Sequence, residues 1–179
     1  MKKGGNGGSN TQTGLRFEEV TDLCSLLKQV KGYSVVTNNL TGNDILFNNL
    51  LVAQSFPKHS FYKFLASKGV DYKNIISKKL LPDDALIVVV RDTLFIIEVK
   101  YQSTEGSVDE KIQTCDFKRK QYTKLVKALT YKVEYIYVLN NWFKKHKYKD
   151  VLDYIDSVNC HYTFNEIPLK WLGLPEGNI

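Results

Sequence analysis

The chain has 179 residues, 43% hydrophobic and 25% charged, and carries a formal net charge of +6. That is enough for one domain with a real core and short for two; no apolar stretch approaches a membrane span and no signal-peptide core opens the chain, so a soluble cytoplasmic protein is expected. Cys24, Cys115 and Cys160 are odd in number and widely spaced, which excludes a disulfide framework or a zinc-ligand set and suits reduced thiols, while the basic excess suits a polyanionic partner.

Residues 1–13, MKKGGNGGSNTQT, have no apolar residue after Met1 and read as a disordered tail, leaving 14–179 as a single domain. From Gly14 the pattern turns helical, with Phe17, Val20, Cys24 and Leu27 at helical spacing up to Lys31-Gly32. YSVV, from Tyr33, reads as a short strand. The stretch 38–80 is irregular: ILFNNLLVA is apolar but mixed with Asn, and SFYKFLASKG reads as a short helix closed by Gly69. ALIVVV and TLFIIEVKY are β-branched runs that meet at Arg91-Asp92, the pattern of an antiparallel hairpin. A long helix is expected over 108–130, with Ile112, Cys115, Tyr122, Leu125 and Leu129 on its apolar stripe. A strand (VEYIYVL), a helix (KYKDVLDYIDSV), a last strand (CHYTF) and an apolar closing segment (IPLKWLGL) complete the chain. The expected fold class is α/β, a mixed central β-sheet flanked by helices.

Two charges stand against this pattern. Glu98 and Lys100 interrupt the end of an apolar strand, on one face and about 7 Å apart along it, where Ile96 keeps the same face apolar. Hairpin pairing brings Pro82-Asp83-Asp84 beside them: an odd loop puts Asp84 on the Glu98 face, an even loop Asp83. Either way an aspartate, a glutamate and a lysine converge, and two neighbouring carboxylates call for a cation. Hard oxygen ligands suit Mg²⁺, with Mn²⁺ as a substitute, better than zinc. A lysine beside such a site can orient water and stabilise charge developing on a phosphate.

Pro82-Asp83-Asp84, followed by Glu98-Val99-Lys100 at the end of the second hairpin strand, resembles the PD-(D/E)XK nuclease superfamily, and most of all the small type II restriction endonucleases. IIEVKYQSTEGSVDEKIQTCDFKRKQY is similar to the glycine turn and helix that follow the motif in one group of these nucleases, and TGLRFEE to their first helix. The resemblance covers residues 14–19 and 81–122. It implies a restriction-endonuclease-like core in which Asp84 and Glu98 hold Mg²⁺, the Val99 carbonyl completes the protein ligands and Lys100 positions the attacking water. Asp84 is preferred because its Asp-Ala-Leu-Ile continuation runs straight into the strand, with Asp83 as the alternative. Glu18 matches an acidic residue directed at a second metal or a metal-bound water. The implied reaction is hydrolysis of DNA phosphodiesters to 5′-phosphate and 3′-hydroxyl ends, by a homodimer on double-stranded DNA.

Around this constellation Gln102 extends the Glu98 face, placed either to touch a phosphate or to cap the strand. The helix over 108–130 begins just after it, which makes Lys111, Gln113, Lys118 and Arg119 candidates for DNA contact. WFKKHKYK, 142–149, mixes aromatics with bases and reads as a loop entering a helix, while His59, His146 and His161 are scattered and form no metal set. The expected activity is that of a Mg²⁺-dependent, sequence-specific restriction endonuclease. The alternatives are a structure-selective nuclease, such as a Holliday-junction resolvase or phage repair nuclease, and a non-catalytic basic DNA-binding module.

Overall fold

The structure, a computed structural model, describes residues 14–16, 23–38, 42–56, 59–81, 85–103 and 108–176. In chain order the elements are β1 (Gly14–Arg16), α1 (Leu23–Leu27), β2 (Tyr33–Asn38), β3 (Gly42–Phe47), β4 (Leu50–Ser55), α2 (Ser60–Ser67), β5 (Ala85–Val90) and β6 (Thr93–Lys100). There follow α3 (Val108–Ile112), α4 (Cys115–Val126), β7 (Lys132–Leu139), α5 (Lys149–Ser157), β8 (His161–Phe164) and β9 (Glu166–Pro168). Strands β2 to β8 form a seven-stranded sheet in sequential order. Its first five strands are antiparallel, and β6, β7 and β8 are parallel. The switch follows from the connections. A two-residue turn can only reverse the chain, whereas α3 with α4, and then α5, return it so that β7 and β8 run the same way as β6. The fold is therefore α/β with a mixed sheet, as the element order implied.

A core lies on each face of the sheet. Leu94 and Ile96 of β6 join Tyr135, Tyr137, Phe61, Tyr122 and Leu125 under α2, α4 and α5. Phe95 and Ile97 join Leu23, Leu27, Ile136, Val138, Leu169 and Leu172 under α1 and the closing segment. The period-2 alternation thus divides β6 between two cores, and its even-numbered residues, Glu98 and Lys100 included, belong to the α4 side.

Three local expectations change. Gly14–Arg16 opens not a helix but β1, which pairs antiparallel with β9 at the other end of the chain, from Gly14↔Pro168 to Arg16↔Glu166. No local periodicity reports a partner that distant, and CHYTF is accordingly not the last strand. Phe17, Val20 and the tail 1–13 lie outside the described residues. The long helix breaks at Gln113-Thr114 into α3 and α4. There the Thr114 hydroxyl donates to the Lys111 carbonyl at 2.8 Å, a side-chain bond that competes with helix continuation. Finally, ILFNNLLVA is the β3–β4 hairpin, and Asn48 and Asn49 both take positive φ (49° and 65°), as a two-residue primed turn requires.

Candidate active site

Strands β5 and β6 pair from Val90↔Thr93 to Ala85↔Glu98, so Arg91 and Asp92 alone make the turn. The loop is the even case. Asp83, Asp84 and Glu18 lie outside the described residues.

Glu98 is 2% exposed, at the end of a strand whose neighbours on the same face are apolar. A carboxylate there stays charged only if cations and donors replace water. Three side chains do so. Lys100 reaches Oε1 from the same strand at 2.9 Å. Lys118, from α4, straddles both oxygens at 3.1 and 2.8 Å. The Tyr135 hydroxyl, from β7, donates to Oε2. Burial by itself would raise the Glu98 pKa, but the charges of Lys118 and then Lys100, with the hydrogen bonds from Lys118 and Tyr135, outweigh it and hold the carboxyl below its ordinary value. Glu98 is ionised at neutral pH.

Lys100 is anchored beyond the end of β6. Its carbonyl accepts from the Asn140 backbone at 3.2 Å. The Asn140 side chain then clasps the Gln102 backbone, donating to its carbonyl at 2.8 Å and accepting from its N–H at 3.4 Å. Because the Lys100 carbonyl turns toward β7, strand alternation turns the Val99 carbonyl toward β5, past the last described pair at Ala85.

Of the residues singled out in the sequence, Glu98, Lys100 and Lys118 come together, with Gln102 buried just beyond them. Lys118 sits on the carboxylate itself rather than on an outer face of the helix. Lys111 and Gln113 are exposed at the α3–α4 break; Gln113 helps line a cleft of about 570 Å³ with Lys147, Tyr148 and Tyr154. Arg119, one position on from Lys118, turns to another part of α4, where its buried Nε has no hydrogen-bond partner among the described residues. Among the described residues no group of three His, Cys, Asp or Glu side chains is placed to hold a metal ion, and no helix is long and apolar enough to cross a membrane.

Sequence reasoning missed Tyr135 and Asn140. The signal for Tyr135 is the alternation in EYIYVL: Tyr135 and Tyr137 share a face, and the parallel register Ile96↔Tyr135, Glu98↔Tyr137 puts that face beside Glu98. Tyr122, Tyr135 and Tyr137 all have pKa values raised above 10.0, by burial first and with the Glu98 charge contributing. A tyrosine held protonated in the fold gives stability that is complete below its unfolded value and is lost as pH rises beyond it. The free energy of unfolding is therefore expected to fall above pH 10, by up to about 1.4 kcal/mol per pH unit for each such tyrosine. Denaturant midpoints between pH 9 and 11 measure it, and a flat profile would contradict the buried placement.

At the same end of the sheet as Lys100, the segment after β7 packs lysines over aromatic rings. Lys145 Nζ lies 3.0 Å from the Trp142 ring centroid, Lys147 5.0 Å from that of Tyr148 and Lys144 5.0 Å from that of Phe164. The Trp142 indole donates to the Tyr148 hydroxyl at 2.7 Å, and Phe143 and Tyr148 are buried. The rings hold the turn entering α5 and the lysines face solvent around them, a positive surface next to the carboxylate site. Compared with known proteins, the chain matches no family model, no curated protein and no solved structure.

Proposed function

We propose that this protein is a Mg²⁺-dependent endodeoxyribonuclease with a restriction-endonuclease-like core, acting as a sequence-specific enzyme on double-stranded DNA, most simply as a homodimer. The observation that carries the reading is Glu98: a buried, ionised carboxylate at the end of a central strand, with a lysine two residues on and on the same face. A strand end arranged only for packing has no use for this. Burying a carboxylate beside two partly exposed ammonium groups is costly, and perturbed carboxylates of this kind cluster at functional sites.

In this reading the cation is a hard divalent one, because the donors the motif offers are carboxylate and carbonyl oxygens. Glu98 already binds cations through both oxygens, and the Val99 carbonyl is directed to the β5 side. One more carboxylate is needed, and in this reading Asp84, or Asp83 as the alternative, supplies it. When bound, Mg²⁺ would withdraw charge from the phosphate and lower the pKa of a water. Lys100, held at Nζ by Glu98 and at its carbonyl by Asn140, would orient an attacking water and stabilise negative charge on the phosphate. Glu18 keeps the supporting role that the resemblance implies.

DNA would lie across the end of the sheet, on the lysines around Trp142 and Tyr148. Replacing Lys144, Lys145 and Lys147 together with alanine is expected to lower the slope of log K against log salt by about 0.9 for each lysine that contacts a phosphate. Fluorescence anisotropy of a labelled duplex across a salt series reads it. An unchanged slope would place the DNA elsewhere.

One observation favours a second reading, a non-catalytic DNA-binding module: every oxygen of Glu98 is already occupied by protein donors. The experiment that separates the readings offers linear duplex and four-way junctions with Mg²⁺ and maps any new ends. Discrete 5′-phosphate ends from linear DNA support a restriction enzyme. Cutting confined to junctions supports a structure-selective nuclease, and binding without cutting supports the module.

A further inference from the structure

We propose that Cys115 and Cys160 form a site of reversible oxidation, at which a peroxide converts the two buried thiols to a disulfide tying the start of α4 to the head of β8. The inference is independent of the nuclease reading, which gives these two nucleophilic groups no part.

The fold assembles the pair from distant parts of the chain. Cys115 is the first residue of α4 and shares with Ile112, Tyr122 and Leu125 the stripe that packs on the sheet. Cys160 stands one residue before β8, whose first pair is Ile136↔His161. Strand alternation therefore turns Cys160 to the side of Tyr135 and Tyr137, under α4. Both side chains are fully buried in that one core, and the Cys160 thiol donates to the Cys115 sulfur. Cys24 belongs to α1, on the other side of the sheet, where its sulfur accepts from Asn43 Nδ2 at 3.6 Å.

Buried thiols of ordinary acidity are inert, but these two are made unlike. The Cys115 sulfur accepts first from Cys160 and also from the Asp116 backbone N–H, at the positive end of a 12-residue helix. Those bonds outweigh burial and the Asp116 charge and hold Cys115 below the ordinary thiol value of 9.0. The same bond, then burial, raises Cys160, with the Arg119 charge opposing. Cys115 is thus the thiolate that attacks, and Cys160 the protonated thiol that resolves. A route from solvent lies close by. The cleft of about 570 Å³ is lined by Gln113, two residues before Cys115, and by Tyr154, 37% exposed and near enough to feel charge on either sulfur.

The chemistry balances with hydrogen peroxide as the oxidant. The Cys115 thiolate attacks one oxygen, the O–O bond breaks, and the departing hydroxide takes a proton to leave as water. The product is a sulfenic acid. Cys160 sulfur then attacks the sulfenic sulfur; the S–S bond forms, the S–O bond breaks, and the hydroxyl leaves as water with the Cys160 proton. The two sulfurs lose two electrons and the peroxide becomes two waters.

Treating the folded protein with hydrogen peroxide, then unfolding it and alkylating with N-ethylmaleimide, tests the site by intact mass and peptide mapping. Of the three cysteines, Cys24 is expected to remain alkylatable while Cys115 and Cys160 are recovered as one linked peptide. The chain should be lighter by about 2 Da before alkylation, and dithiothreitol should restore all three thiols. Three alkylatable thiols after treatment, or oxidation of Cys24 as fast as of Cys115, would overturn the site. This wild-type measurement does not depend on any variant folding. The roles are read with dimedone, which traps sulfenic acids. Under peroxide Cys160→Ser is expected to be labelled at Cys115, and Cys115→Ser to stay unlabelled at Cys160. The opposite labelling would overturn the assignment of attacker and resolver.

Discussion

Replacing Glu98 with alanine is expected to destabilise the fold by about 3 kcal/mol, at the low end of what removing one partner from a buried ion pair costs. The residues left behind set the figure. The Tyr135 hydroxyl would be buried without its acceptor, while Lys100 and Lys118 retain partial access to water and lose less than fully buried charges would. Glu98→Gln separates the two contributions: it keeps an acceptor for Tyr135 and removes the charge, so it should cost less than alanine. It should also change the response to acid. Because the Glu98 pKa is lowered in the fold, its stabilisation is present above the ordinary carboxylate value of 4.5 and is lost as pH falls below that toward the folded value. Glu98→Gln is expected to flatten this part of the acid limb. Urea unfolding at pH 7 and across pH 5 to 3 reads both effects. An alanine variant as stable as wild type would show that the carboxylate is not embedded in this network.

The second large effect is on activity. Lys100→Ala should leave the protein folded and able to bind DNA, yet reduce cleavage by about two to three orders of magnitude, the usual loss when one preorganised electrostatic donor is removed from a reacting centre. It lies at the strand end with partial access to water, so the structural cost is small compared with that of losing Glu98, which is buried and holds three partners. Single-turnover cleavage alongside anisotropy with the same duplex distinguishes lost chemistry from lost binding. A variant that cuts at the wild-type rate removes Lys100 from the mechanism.

What the sequence revealed depended on the range of the interactions. The β5–β6 hairpin was legible because its strands are adjacent, β-branched and joined by Arg91-Asp92, and period-2 alternation then put Glu98 and Lys100 on one face without any tertiary information. The role of Lys118 was not legible. In an unbroken helix it reads as one of several bases on a solvated face. The interruption at Gln113-Thr114, together with the packing of Ile112, Cys115, Tyr122 and Leu125, determines which side of α4 meets β6, and this puts the Lys118 ammonium on Glu98. Tyr135 was hidden for a related reason: in EYIYVL it counts as a core aromatic, and only the parallel register of β7 against β6 brings its hydroxyl to a carboxylate. The β1–β9 pair was beyond reach because its strands are three residues each and lie at opposite ends of the chain. The aspartate parity shows the intermediate case. Alternation leaves Asp83 and Asp84 open until the turn length is known; the turn is two residues long, and both aspartates lie outside the described residues.

The central claim, metal-dependent hydrolysis of DNA, is tested most directly by incubating the purified protein with unmethylated phage DNA in Mg²⁺ or EDTA and separating the products on a gel. Discrete fragments that form with Mg²⁺ and not with EDTA are the expected result. DNA left intact in Mg²⁺, linear and branched alike, would contradict it.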